Sequence, residues 1–552
     1  MNTSSGAGAH DEKQRDERLF DRLNYLTGVS KDLSSEHNIE RLLETILNAA
    51  QNITNADGGT LYRVIPGKEL IFEIVRTDSL GVVMGGISGV PVPIAPLSLY
   101  DSAGRPNLSN IASYAVLKDE TVNIADAYSA QGFDFSGTRA FDERTGYRST
   151  SFLTVPMKNH EDEIIGVLQL INSRDRVTQK ITPFSQADQQ FAEALASQAA
   201  IALTNRSLIS QLQVLFESFV GIINKAIDDK SPHTSRHCSR VPELTMMLAD
   251  AAHDVDYGPL ANFRMTDKDR YELKLAGLLH DCGKITTPVH VIDKATKLST
   301  IFDRIALVDM RFEILIRDLK MNAMNEILQI PTAEKKDIEN IETQLTAALK
   351  KLEDDREFLR GANKGSEHMQ PDDHVRIARI AKYTYVDSAG MTQLFLTDDE
   401  VQNLNVDRGT LTPDERKIIN HHIVATIEML EALPWPKHLE KVPEYAGGHH
   451  ERMDGKGYPR GLTGMQMSVQ ARAMAIADIF EALTAKDRPY KSAKTLTEAL
   501  EILGQFRLNG HIDPDLFDVF VREKLYLKFA NAYLDDEQID FPDHATIPGF
   551  TP

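Results

Sequence analysis

The stretch GLLHDCGKITTP sets an imidazole, a carboxylate and an ammonium group within five consecutive positions. His280 can give a metal one nitrogen ligand, and Asp281 has two oxygens that can bridge neighbouring cations. Lys284 adds a charge that would offset negative charge on a phosphate. A helix ending at Gly283 would bring these groups to the rim of a pocket. A His-Asp pair alone is common, so metal chemistry requires further ligands elsewhere in the chain.

Two histidine pairs lie on predicted helices before and after this stretch. In KSPHTSRHCSRV, His233 and His237 are four residues apart and share one helix face, which suits a metal site. An exposed pair at a helix start is commonplace, and alone it favours a solvated face. In IINHHIVATIEML, one of His421 and His422 should face inward and the other should be solvated.

A third pair and an isolated carboxylate complete the set. His449 and His450 lie in the glycine-rich stretch EYAGGHHERMDGKGYP, where backbone freedom lets neighbouring side chains converge. Asp478 lies within MAIADIFEAL, on a predicted helix capped by Ser468. A carboxylate on such an apolar face is costly to bury unless it is paired or bound to metal. Asp478 is therefore the most informative single residue of the set.

The elements that must position these groups change character along the chain. GGTLYRVI, ELIFEIVR, STSFLTVPMKN and EIIGVLQLIN predict short strands of a sheet flanked by helices. A proline-free helical pattern follows for over forty residues from a cap at Ser185, with a break near Asn205 as the alternative. Its apolar positions predict pairing with a second copy in a parallel dimer: Phe191, Leu195, Ala202, Leu212, Leu215 and Phe219.

Composition excludes several classes of protein. The 552 residues are enough for two or more domains, and the formal net charge of −20 argues against a protein that coats nucleic acid. Only Cys238 and Cys282 are present, which suits a reducing compartment. No apolar run approaches the roughly 18–20 residues of a membrane span, and no signal core is evident. We expect a cytoplasmic protein without membrane or nucleic-acid partners.

The first half of the chain resembles a known regulatory domain. The segment from NIADAYSAQGFDFSG to VLQLIN, followed by FSQADQQFAEALASQAAIAL, is similar to a GAF domain. The resemblance implies a module that binds a small molecule or only dimerises. It does not identify the ligand, and neither cysteine lies in this region to tether a chromophore.

The second half resembles the HD-GYP family of HD-superfamily phosphohydrolases over about residues 217–535, apart from an insertion. The resemblance implies an all-helical domain with two or three iron or manganese ions that hydrolyses cyclic di-GMP to pGpG, sometimes onward to GMP. It rests on HHERMDGKGYP and on the order of the residues that match the family's metal ligands: His237, His280, Asp281, His422, His449, His450 and Asp478.

The same resemblance assigns further roles. Asp281 would bridge the metals, and Lys284, with Arg488 and Lys491, would contact substrate phosphates. The stretch HIVATIEML aligns with the family pattern HPxxGxxIL, whose first residue is the ligand, and this alignment selects His422 over His421. Ile423 and Thr426 replace the proline and the glycine of that pattern. A third metal is in doubt because its usual glutamate is replaced by His233. The motif loop comprises Asp454, Gly455, Gly457, Tyr458 and Pro459.

The predicted fold is multidomain: an α+β GAF domain with an antiparallel sheet and flanking helices, then an all-α domain. We expect a disordered tail at 1–15, GAF at 16–205, a connecting helix at 206–229 and HD-GYP at 230–552. A helical insertion at about 295–410 would form an antiparallel hairpin, acting as a lid, a dimer contact, a docking arm or a decoration.

The predicted function is a cyclic di-GMP phosphodiesterase that is regulated by its GAF domain and is a homodimer. One alternative is a cyclic-dinucleotide receptor, or an interaction module that binds a diguanylate cyclase through Gly457-Tyr458-Pro459, with little turnover. Another alternative is hydrolysis of a different cyclic dinucleotide such as cyclic GMP-AMP.

Overall fold

The computed structural model describes residues 5–36, 38–230, 236–330, 335–365, 368–486 and 493–550, with side chains from residue 20 onward. His233, Arg488 and Lys491 lie outside the described residues. The chain divides into two compact units, Met1–Phe216 and Glu217–Pro552.

An antiparallel sheet forms the centre of the first unit. Its order is β3-β2-β1-β7-β6-β5, with β4 beside β2 and β8 beside β7. The central strands read ADGGTLYRVI and IIGVLQLINSR and are buried over most of their length, as β-branched and large apolar residues favour. The strands are β1 (Ala56–Ile65), β2 (Glu69–Thr77), β3 (Val82–Gly85), β4 (Leu97–Ser98), β5 (Val122–Ile124), β6 (Phe152–Lys158), β7 (Ile164–Arg174) and β8 (Ile181–Thr182).

Helices cover this sheet. They are α1 (Ser5–Ser35), α2 (Ile39–Thr54), α3 (Ile111–Lys118), α4 (Ser136–Thr145) and α5 (Gln186–Lys230). The main core lies where α1, α2 and α5 meet the sheet, with Ile46, Leu47 and Leu168 fully buried. The predicted α+β class is confirmed. The expected disordered tail at 1–15 differs from the structure, in which α1 begins at Ser5; this segment has no proline and many strong helix formers.

Helix α5 is continuous, without a break at Asn205. Ser185 caps it, since its hydroxyl accepts a hydrogen bond from Asp188 N at 3.1 Å. The predicted dimer stripe is wrong in its first half, because Phe191 and Leu195 are buried in the core of the first unit. Its second half is solvent-exposed: Leu212, Leu215 and Phe219 are 64%, 52% and 55% exposed.

Helix α5 is also the one helix in the described residues that is long and apolar enough to cross a membrane. Only 6% of its most apolar window is buried. A single such helix is weak evidence for a membrane span, because apolar residues at heptad spacing are equally typical of a coiled coil.

Helices dominate the second unit. Predicted caps are confirmed at Thr266, Thr412 and Ser468, whose side chains each accept a hydrogen bond from a backbone N–H in the first turn. The helices are α6 (His237–Asp254), α7 (Asp267–Leu279), α8 (Val289–Ile292), α9 (Ile305–Gln329), α10 (Lys335–Asn363), α11 (Pro371–Ile380), α12 (Asp398–Leu404), α13 (Pro413–Glu431), α14 (Val442–Gly447), α15 (Val469–Thr484), α16 (Leu496–Leu508), α17 (Pro514–Arg522) and α18 (Leu525–Tyr533).

The insertion contains the expected hairpin and more. Arg356 and Arg360 on α10 both reach Asp309 on α9, as two antiparallel helices allow. The sequence did not predict α11, α12 or the β-hairpin of β9 (Thr384–Val386) and β10 (Thr392–Leu394). These elements enclose a separate core: Leu298, Val308, Phe312, Leu352, Leu359, Ile377 and Phe395. The insertion is therefore a small packed subdomain rather than a bare hairpin.

Candidate metal centre

Three histidines owe their orientation to their own helices. The Nδ1 atoms of His280, His422 and His449 lie 2.7, 2.5 and 2.6 Å from the backbone carbonyl three residues earlier. A carbonyl oxygen can only accept a hydrogen bond, so each Nδ1 carries the proton. Each Nε2 therefore presents a lone pair, which is the form in which imidazole binds metal.

His237, at the start of α6, is oriented by a carboxylate that the sequence analysis missed. Its Nδ1 lies 2.6 Å from Glu481 Oε2, and the other oxygen of Glu481 accepts from Arg240 Nη1 at 3.3 Å. Glu481 is 1% exposed and lies one turn after Asp478 on α15. The sequence did contain a signal for Glu481, because it is the second acidic residue within MAIADIFEAL. An apolar helix face rarely buries two carboxylates unless each is paired or bound to metal.

Side chains from α15 and from the segment that follows α7 converge on His237, the first residue of α6. Its Nε2 lies 3.1 Å from Asp281 Oδ2, 3.1 Å from Asp478 Oδ1 and 3.3 Å from His280 Nε2. Asp281 is the second residue after the end of α7, and its side chain is 2% exposed. Groups that are far apart in the sequence thus share one small volume.

A second group gathers on the other side of Asp281. His422 Nε2 lies 3.3 Å from Asp281 Oδ1 and 3.2 Å from His450 Nε2. His421, by contrast, is exposed, which agrees with the choice of His422. Within the described part of the chain, Asp281 Oδ1 and His449 Nε2 are buried without a hydrogen-bond partner. Both atoms are acceptors that lack a donor.

This arrangement fits a cation. The Nε2 lone pair of His422 lies 3.2 Å from His450 Nε2 and 3.3 Å from Asp281 Oδ1, and such acceptors repel one another unless positive charge lies between them. Imidazole and carboxylate ligands suit manganese, iron or zinc. Burial raises the pKa of the neighbouring thiols of Cys238 and Cys282 to about 12 and about 11, so neither offers a thiolate. The compatible groups are His422-His449-His450, His237-His280-Asp478 and His280-Asp281-His449.

The charges of the site reinforce this fit. Burial opposes ionisation of Asp281, but Lys284 Nζ, 2.5 Å away, and the flanking histidines hold its pKa well below its usual range. Burial lowers the pKa of His449 far below its usual value and that of His450 to about 4, so both rings are neutral. Burial opposes protonation of His237, yet its three carboxylate neighbours raise its pKa well above the usual value. Ionised Asp281 and Asp478 and neutral His449 and His450 are in the protonation states in which such side chains bind metal.

Close packing fixes the loop that carries Asp281 and Lys284. A Cβ at Gly283 would lie 2.0 Å from the carbonyl oxygen of His422 and 2.5 Å from Thr426 N. Gly283 N instead donates to Thr426 Oγ1 at 2.9 Å. Thr426, where the family has glycine, is thus accommodated by a specific hydrogen bond.

The motif loop lies beside this cluster. The Tyr458 ring stacks on His450, with centroids 4.9 Å apart and planes at 18°. Asp454 accepts two hydrogen bonds from Arg452, and the Tyr458-Pro459 peptide is cis. Gly455 has a φ of +74°, and a Cβ at Gly457 would lie 2.5 Å from the backbone of Glu451 and Arg452, so both glycines are required.

The chain matches known domain families. Residues 38–203 match a GAF domain, residues 234–384 an HD domain, and residues 385–516 a second HD domain model. A GAF domain is thus followed by an HD domain of the HD-GYP type, and the resemblance seen in the motifs is confirmed. HD domains are metal-dependent phosphohydrolase domains, so the family implies a divalent metal here.

Several characterised proteins are similar to parts of the chain. The 3′3′-cGAMP-specific phosphodiesterase 1 of Vibrio cholerae is 48% identical over 81 residues, 15% of this chain and 19% of the relative. A probable cyclic di-GMP phosphodiesterase of Vibrio cholerae is 35% identical over 146 residues, 25% of this chain and 33% of the relative. The cyclic di-GMP phosphodiesterase of Thermotoga maritima is 29% identical over 214 residues, 35% of this chain and 56% of the relative. The chain therefore spans a fifth to about half of these relatives.

Among solved structures, the GAF domain/HD domain protein from Geobacter sulfurreducens is 17% identical, with a TM-score of 0.23. The match covers 32% of this chain and 98% of that one.

Proposed function

We propose that this protein is a metal-dependent phosphodiesterase that opens cyclic di-GMP to pGpG, and onward to GMP if the linear product rebinds. The observation that carries the proposal is the convergence of five imidazoles and two carboxylates beside one lysine. The Vibrio and Thermotoga relatives, named as cyclic GMP-AMP and cyclic di-GMP phosphodiesterases, support a cyclic dinucleotide as substrate.

The contacts suggest how the ligands divide. His237, His280 and Asp478 would hold one metal, and His422, His449 and His450 a second. Asp281 would bridge them, because its Oδ2 faces His237 and its Oδ1 faces His422. Iron or manganese suits this nitrogen and oxygen set. A third ion would need His233, which cannot bridge.

Bound metals would supply an activated water and neutralise phosphate charge. Lys284 is charged, since burial lowers its pKa but Asp281 raises it above the usual value. Its side chain is 18% exposed, so the ammonium group can donate to a phosphoryl oxygen at the rim of the cluster. We assign Arg488 and Lys491 to the other phosphate by resemblance. The backbone hydrogen bonds of His280, His422 and His449 hold their rings in place during turnover.

We also propose that the protein is a cytoplasmic homodimer regulated through α5. Leu208, Leu212, Leu215, Phe219 and Ile222 follow 4-3-4-3 spacing and are 44–64% exposed. This is the heptad seam of a two-stranded coiled coil. We assign GAF to 16–205, the connecting helix to 206–229 and HD-GYP to 230–552. The GAF domain would bind a small molecule that is not yet identified.

The test is product analysis on anaerobically purified protein with added manganese or ferrous iron. Conversion of cyclic di-GMP to pGpG, abolished in Asp281→Ala, is the expected result. Tight binding without product would instead make the protein a receptor, with the Gly457-Tyr458-Pro459 loop as the contact for a diguanylate cyclase. Exclusive turnover of 3′3′-cyclic GMP-AMP would instead give it the activity for which two of the Vibrio relatives are named.

A further inference from the structure

A cleft of about 410 Å³ opens beside His450 and Asp478. This volume is within the range of roughly 300–1,000 Å³ typical of small-molecule sites. One wall is apolar and consists of Ile479, which follows Asp478 directly on α15, and of Ala482 and Leu483, about one turn further along. Such a wall suits the face of a flat ring.

The lining of the cleft also includes two cationic side chains, Arg452 and Lys456. Arg452 is held in place because its Nε and Nη2 donate to Asp454 at 2.9 and 2.8 Å. Lys456 is far less constrained, with its Nζ 3.8 Å from Asp454 and its side chain 79% exposed. Both side chains can only donate hydrogen bonds. The lining therefore combines an apolar surface on which a ring can stack with two cationic donors, and the His511 ring lies beside them.

Such an edge distinguishes the two purines. Guanine presents two acceptors, O6 and N7, along one edge, whereas adenine presents the acceptor N7 and the donor N6. Arg452 and Lys456 together can donate to both guanine atoms, whereas one of the two would face the adenine amino group with a second donor. The Tyr458 ring, which stacks on His450, also lines the cleft.

We propose that this cleft binds a guanine base of the substrate and that Lys456 selects guanine over adenine. The inference rests on the proposed function and deepens it. The substrates are cyclic dinucleotides that contain guanine, namely cyclic di-GMP and 3′3′-cyclic GMP-AMP, and cyclic di-AMP is excluded.

Mononucleotide binding tests the base preference without turnover. Calorimetry on manganese-loaded protein should show GMP binding about tenfold more tightly than AMP, at the lower end of the discrimination that base-edge contacts give. Lys456→Gln should bring the two affinities within about twofold. Lys417→Gln is the matched control, since Lys417 is also 79% exposed and pairs with Asp414 at 2.9 Å. Circular dichroism establishes that each variant is folded.

Turnover separates this inference from the proposed function. The inference is supported if the wild type hydrolyses cyclic di-GMP much faster than cyclic di-AMP. The ratio of the two rates should fall about tenfold in Lys456→Gln and stay unchanged in Lys417→Gln. Equal turnover of both substrates by the wild type, or an unchanged ratio in Lys456→Gln, overturns it. A GMP preference that depends on Lys456, without turnover of any cyclic dinucleotide, supports the base site and overturns the phosphodiesterase.

Discussion

Glu481 provides the sharpest test of how the cluster is held, through the substitution Glu481→Gln. The carboxylate accepts from His237 Nδ1 at 2.6 Å and from Arg240 Nη1 at 3.3 Å. A glutamine of the same shape has one oxygen and one amide nitrogen. If the oxygen faces His237, the amide group turns its hydrogens toward the guanidinium of Arg240. The variant therefore loses one of two charge-assisted contacts in a site that excludes water.

The size of the effect follows from the part Glu481 plays. Groups that orient a metal-binding histidine typically contribute 10- to 100-fold in metal affinity, or about 1.4–2.8 kcal/mol. Loss of a hydrogen bond to a charged group costs about 1.5–3 kcal/mol of stability. Glu481→Asp keeps the charge but is one methylene shorter, and should fall between wild type and Glu481→Gln.

Manganese affinity, measured by competition with a chelator, and urea unfolding of the metal-free protein separate the two effects. Glu431→Gln is the control, because Glu431 is 52% exposed and pairs with Arg460 at the surface, where such pairs contribute at most about 1 kcal/mol. A folded Glu481→Gln protein that binds manganese within twofold of wild type would refute the positioning role.

Three further outcomes are expected. Gly283→Ala should abolish metal binding, because the new Cβ would lie 2.0 Å from the backbone of α13. The control is Gly361→Ala on α10, where the Cβ has open space; in urea unfolding it should be neutral or stabilising by about 0.5–1 kcal/mol. Both Nη atoms of Arg311 donate hydrogen bonds to the carboxylate of Glu400. Burial opposes ionisation of Glu400, but Arg311 lowers its pKa overall, so the ion pair stabilises the fold fully above pH 4.5 and less as the pH falls. Glu400→Gln should thus be less stable by about 3 kcal/mol at pH 7, and the difference from wild type should shrink as the pH falls below 4.5. Leu212→Glu should convert the dimer to monomer in analytical ultracentrifugation, whereas Leu508→Glu, at a site 58% exposed on α16, should not.

The sequence predicted most of the helices and the sheet because their signals are local. Caps at Thr266, Thr412 and Ser468 fix where helices begin, and each is a contact within one turn. The strands of the first unit follow from β-branched runs between turn residues. Their order in the sheet depends on contacts across the fold, which no local pattern contains.

The misses have physical reasons. Glu481 acts through His237, which lies more than two hundred residues away, so only the folded chain reveals the pairing. Phe191 and Leu195 share the periodicity of Leu212, but the sheet covers only the first turns of α5, and spacing alone cannot tell where that cover ends. The roles of His233, Arg488 and Lys491 stay predictions.

The backbone hydrogen bond that fixes the rings of His280, His422 and His449 is made within a single helical turn or just past its end. The orientation of each imidazole is therefore set by its own helix and does not depend on the residues that other helices contribute. Substitutions that shift one helix against another would change the spacing between these nitrogens, and thereby the preferred ion. Such substitutions would leave unchanged the direction in which each Nε2 lone pair points relative to its own helix.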